Sequence, residues 1–131
     1  MNEFFNYSFR TFISSIHSIA KMDPGYLDLI LTDYNLNLLL DDIDNKMDEC
    51  YNNYLENRRL FLSVTPSDCG FYALYNSMMQ KYYLELNTLY NLYSIYYKIM
   101  VNRNLNYDFK SDLDNIKLIC NSDNYGLVLI K

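Results

Sequence analysis

Ser15-Ile-His-Ser-Ile-Ala-Lys-Met-Asp-Pro-Gly-Tyr-Leu-Asp-Leu-Ile-Leu-Thr32 admits two foldings, and the choice between them sets the fold class. Its first half continues a helical pattern, because Phe5, Phe9, Phe12, Ile13, Ile16 and Ala20 recur at helical spacing and make residues 3–20 an amphipathic helix. Its second half argues for extended chain. Asp23-Pro-Gly25 is a turn signal and Tyr26 to Thr32 is rich in strand formers, so 15–22 and 26–32 also read as the two strands of a hairpin. On that reading His17, the only histidine, lies on the first strand, and Asp33 ends the second.

Downstream the periodicity is clearer. Leu36, Leu40, Ile43, Met47, Cys50 and Tyr54 follow one seam and predict a helix near 36–57, with Asp41, Asp42, Asp44 and Asp48 off the seam. These aspartates lack the Gly and the closing Glu of a calcium loop, so they read as a solvated face and no metal is expected. Arg58-Arg59 suit a helix C-terminus, and Leu60 to Val64 form an apolar run of strand length before Pro66. Ala73, Met79, Tyr82, Leu86, Leu89, Tyr93, Tyr96 and Met100 predict a helix over 68–101, with a break or kink at the cap-like pair Asn87-Thr88. Residues 103–110 read as a loop and 111–115 as one helical turn. Ile116 to Cys120 and Leu127 to Ile130 flank Asn121-Ser-Asp-Asn-Tyr-Gly126 and predict a hairpin near 116–131. The expectation is an α+β fold: a small single domain over 1–131, mostly helical with one or two short β-hairpins.

Sixteen acidic residues against eleven basic ones give a net charge of −5, which argues against direct binding to nucleic acid. It favours a protein partner with a basic surface. Three cysteines at spacings of 19 and 51 residues suit neither a CxxC metal site nor a disulfide framework, so free thiols in a reducing, cytoplasmic setting are expected. No signal-peptide pattern opens the chain and no run approaches 18 apolar residues, so no membrane association is expected. No cofactor motif is present. Fifteen Tyr beside seventeen Asn point to an AT-rich coding genome, of the kind many viruses and mobile elements carry.

Chemistry points to Ser67-Asp-Cys-Gly-Phe-Tyr72. Ser67 or Asp68 can cap the following helix, which places the Cys69 thiol in its first turn, where unpaired N–H groups favour a thiolate. His17, Asp33 and Asp68-Cys69-Gly70, in that order, with a helix and a short strand between the last two, resemble the core of the cysteine peptidases that process ubiquitin-like modifiers, and their adenoviral relatives. The resemblance implies a strand bearing His17, a strand ending at Asp33, and a central helix opened by Cys69. Cys69 would then be the nucleophile, His17 the general base and acid, and Asp33 the orienting group, with Gly70 leaving room for substrate. The family's oxyanion glutamine has no counterpart: Gln80, the only one, lies after Cys69.

Two functions of different class follow. The first is a small acidic protein-binding protein, a viral or mobile-element antagonist of a host protein, such as a nuclease inhibitor of the anti-CRISPR kind or a nucleic-acid mimic. Asp41, Asp42, Asp48 and Glu49 would meet its basic partner. The alternative is a minimal or degenerate thiol peptidase built on Cys69, His17 and Asp33.

Overall fold

The computed structural model describes the backbone of residues 2–65, 67–122 and 125, with side chains from Arg10 onward. Those residues form α1 (Asn2–Met22), α2 (Pro24–Ile30), α3 (Asp33–Ser63), α4 (Cys69–Asn102) and α5 (Leu113–Cys120), with no strand among them. The expected α+β class is therefore corrected to an all-helical one.

Each displaced strand has a local cause. Asp23-Pro24 starts a helix: the Asp23 carboxylate accepts from the Tyr26 N–H at 3.2 Å, and Pro24 stands in the first turn, where a missing N–H is no loss. The Asp23 N–H still donates to the Ile19 carbonyl at 2.7 Å, so one residue closes α1 and caps α2. Thr32 does the same service for α3, its Oγ1 accepting from the Asn35 N–H at 3.1 Å. Leu60 to Ser63 extend α3 beyond 57, and Phe61 is buried there with its ring centroid 4.6 Å from that of Tyr72. Of the break or kink expected at Asn87-Thr88, the break is absent: α4 runs on through the pair, with the Thr88 hydroxyl turned back to donate to the Leu84 carbonyl of its own helix at 3.1 Å. Asp112 caps α5 through the Asn115 N–H, so Ile116 to Cys120 are helical, with Ile116 and Ile119 buried. The predicted second strand, Leu127 to Ile130, lies outside the described residues, as do the side chains of Phe5 and Phe9.

The chain divides into two compact units. Met1–Asp42 and Leu92–Tyr107 form the first, and Ile43–Asn91 and Asp108–Lys131 the second. In the first, Ile13, Ile16, Ala20, Leu27, Leu36, Leu39, Tyr96 and Ile99 are buried. Arg103 pins its corner: the guanidinium donates to Asp28 Oδ1 at 3.0 Å, to the Asp28 carbonyl at 2.6 Å and to Asp33 Oδ1 at 3.0 Å. Just beyond, Asn104 has φ 58°, its N–H donates to the Val101 carbonyl, and the Leu105 N–H reaches back to the Met100 carbonyl. That paired reach-back is a Schellman ending, satisfied here by an Asn in place of the commoner Gly.

In the second unit α3 and α4 run antiparallel, as the Phe61–Tyr72 and Cys50–Tyr82 contacts require. Asp44 is buried and fully employed. Its Oδ2 accepts from the Lys110 N–H at 3.0 Å, and its Oδ1 from the Ser111 N–H at 3.1 Å and the Ser111 hydroxyl at 2.6 Å. A buried carboxylate is tolerable only with donors of this kind around it, and these fasten Lys110 and Ser111 to α3.

Candidate functional site

Helix spacing brings the residues of the first unit into one polar cluster. His17 lies four residues after Ile13 and one after Ile16, both buried, so the helical turn that seats those side chains carries the imidazole inward with them. Its Nδ1 stands 2.7 Å from the Tyr96 hydroxyl, and its Nε2 is 4.0 Å from Asp42 Oδ2. A carboxylate beside Nε2 favours the tautomer protonated there, which leaves Nδ1 to accept from the Tyr96 hydroxyl. Carboxylate, imidazole and hydroxyl thus stand in the order of a nucleophilic triad. Their chemistry is different. Tyr96 is 0 % exposed, and burial, then the Asp42 charge, push its phenol well above the usual range. A neutral phenol with no access to substrate is held, not activated.

Asp33, named as the orienting carboxylate, opens α3 and accepts from Arg103. The structure pairs His17 with Asp42 and Tyr96 within the first unit, and Asp33 with Arg103 there. Cys69 belongs to the second unit. It is the first residue of α4 and exposed, with the Asp68 carbonyl accepting from the Tyr72 N–H to close the first helical turn. A Cβ added at Gly70 would meet nothing within 4 Å, so packing does not demand a glycine there. The strands that the peptidase resemblance places under His17 and Asp33 are the helices α1 and α2.

The other thiols are set up to stay protonated. Burial pushes Cys50 up to about 12, helped by the charges of Glu85 and Glu49 nearby, and burial alone pushes Cys120 up to about 11. Cys50 donates to the Tyr82 carbonyl at 3.2 Å. Neither is suited to nucleophilic attack at neutral pH.

The four acidic residues expected to meet a partner are divided. Asp41, exposed, accepts from the Tyr107 hydroxyl, and Asp42 is half-buried beside His17, both in the first unit. Asp48 is half-buried and Glu49 exposed in the second, where Glu49 lines a groove between α3 and α4 of about 560 Å³. Among the described residues no group of His, Cys, Asp and Glu is placed to hold a metal ion, and no helix is long and apolar enough to cross a membrane.

What the sequence reading missed is apolar. Met22, Tyr26, Leu29, Ile30 and Tyr34 stand exposed in the first unit, while Leu27, between them, is wholly buried. Tyr26, Leu29 and Ile30 have the i, i+3, i+4 spacing of one helical face, a signal visible only once 24–30 is read as helix. Compared with protein-family profiles, curated protein sequences and solved structures, the chain finds no match in any of the three.

Proposed function

We propose that this chain acts by binding a protein, and that it meets that partner through the apolar face of α2 and its flanks. The observation that carries the reading is the exposure of Met22 at 85 %, Leu29 at 83 % and Tyr34 at 73 %, with Tyr26 and Ile30 between them. Single exposed apolar side chains are ordinary; Tyr26, Leu29 and Ile30 at helical spacing on α2, with Met22 and Tyr34 exposed in the helices before and after it, offer apolar surface of the kind that interfaces use. Covering an apolar side chain of this size returns on the order of 1.5–3 kcal/mol. The net charge of −5 supports a basic surface on the partner, and the AT-rich composition supports an antagonist from a virus or mobile element.

The test is photo-crosslinking from a benzophenone amino acid at position 29 in extract of the source cell. One adduct of defined mass, lost when Tyr26 and Tyr34 are changed to Glu in a chain that keeps its helical circular dichroism, supports the reading. Adducts that persist unchanged in that double variant, or none at all, overturn it.

The thiol-peptidase reading keeps one supporting observation, the exposed thiol of Cys69 at the start of α4. Its test is the labelling experiment given in the Discussion.

A further inference from the structure

We propose that the groove between α3 and α4 in the second unit docks one helix of a partner protein, with Arg or Lys at that helix's centre and Glu or Asp one turn to either side. The inference rests on the protein-binding reading but uses a different surface from the α2 face. The groove is lined by Lys46, Glu49 and Cys50 from α3, and by Lys81, Tyr82 and Glu85 from α4. A trough between two antiparallel helices is the shape that accepts a third, ridge into groove.

Its charges are ordered along its length. Lys46 precedes Glu49 by one turn on α3, and Lys81 precedes Glu85 by one turn on α4. Because the helices are antiparallel, the two lysines fall at opposite ends and the two glutamates at the middle. Both glutamates lie close enough to Cys50, on the groove floor, to act on its thiol, and Glu85 Oε2 is 4.0 Å from the sulfur. Lys81 leans over the Tyr82 ring, 5.4 Å from its centroid. Two like charges facing across an open trough repel each other, and a guanidinium laid between them would turn that repulsion into two charge-assisted hydrogen bonds.

The pattern also says what does not fit. A second copy related by a two-fold axis would set lysine against lysine and glutamate against glutamate, whether the axis ran along the groove or through its centre. The complement is a different helix, acidic, basic and acidic in turn.

The probe is a capped Ala/Leu helical peptide of roughly 18 residues with two central arginines and a glutamate one turn beyond each, compared with the same peptide with its charges exchanged. Fluorescence anisotropy should show the arginine-centred peptide binding about tenfold more tightly, with the advantage shrinking as salt rises. Glu49→Gln with Glu85→Gln should abolish that preference, while Asp108→Asn and Asp114→Asn, both exposed and outside the groove, leave it intact; unchanged circular dichroism checks that each variant folds. Equal affinity for the two peptides, a preference that survives in the double variant, or no binding up to about 1 mM overturns the groove assignment. The crosslinking result at position 29 stands or falls separately.

Discussion

The Tyr96 hydroxyl, buried in the first unit, lies 2.7 Å from Nδ1 of His17, the chain's one histidine. The pair joins α1 to α4 across a sequence separation of 79 residues. Tyr96→Phe keeps the ring and removes only the hydroxyl, so the loss reads the hydrogen bond directly. The variant should be less stable by about 1–2 kcal/mol, measured as a lower urea midpoint at unchanged m-value. No loss would mean that the ring nitrogen is as well served by another donor.

Asp44 should be the least replaceable polar residue of the second unit. Asp44→Ala leaves the Lys110 and Ser111 N–H groups without their acceptor, and the expected destabilisation is about 3 kcal/mol or more. Asp44→Asn keeps one oxygen and turns an amide N–H₂ toward a donor, so an intermediate loss of about 1–3 kcal/mol is expected. Thermal unfolding of the two variants, ranked against wild type, checks the order Ala below Asn below Asp.

The raised thiols make stability fall on the alkaline side. In the unfolded chain Cys50 ionises near the ordinary thiol value of 9.0, whereas the folded protein holds the proton up to about 12; Cys120 holds its own up to about 11. Below pH 9 both states carry neutral thiols and this contribution is fully present. Between pH 9 and 12 the unfolded chain releases protons that the folded one keeps, so stability drops as pH rises. Tyr54 and Tyr96, also raised by burial, add to the same trend at higher pH. Urea midpoints at pH 8 and 10.5 should differ, with Cys50→Val reducing the difference by an amount on the order of 1–2 kcal/mol. A slope indifferent to Cys50 would place its thiol in contact with water.

Cys69 should react first with a thiol reagent at pH 8, the half-buried Cys120 more slowly, and the buried Cys50 only as the protein unfolds. His17→Ala should leave the Cys69 rate unchanged, as mass spectrometry of timed samples will show. A rate that collapses in that variant would instead support a Cys–His pair and revive the peptidase reading. Gly70→Ala adds a second comparison. The added methyl meets open space, so the variant should fold with equal or slightly greater stability, up to about 0.5–1 kcal/mol.

The long helices were legible because their apolar residues keep one seam through many turns. Leu36, Leu40, Ile43, Met47 and Tyr54 are all buried, and so are Met79, Leu86, Tyr96 and Met100. The short elements were not, because each has few turns in which to show a period. Asp23-Pro24-Gly25 fits a β-turn and a capped helix start equally well until the Tyr26 N–H is placed, and Ile116 to Cys120 are strand formers by composition alone. The polar cluster was out of reach for another reason. Residues 17, 42 and 96 sit on three different helices, and nothing local in the sequence says that Tyr96 faces His17 or that Arg103 takes Asp33.

Asp44 is gripped mainly by backbone N–H groups, and every residue type except proline can supply one. Position 110 is therefore open to drift in identity, and the side chains of the strap around it can turn over while the fold persists. Asp44 itself has no equivalent, and Ser111 alone contributes a side-chain donor. What selection for this fold preserves at the strap is one aspartate and one serine, 67 positions apart. Descendants of this chain can lose ordinary sequence likeness to one another long before they lose that pin.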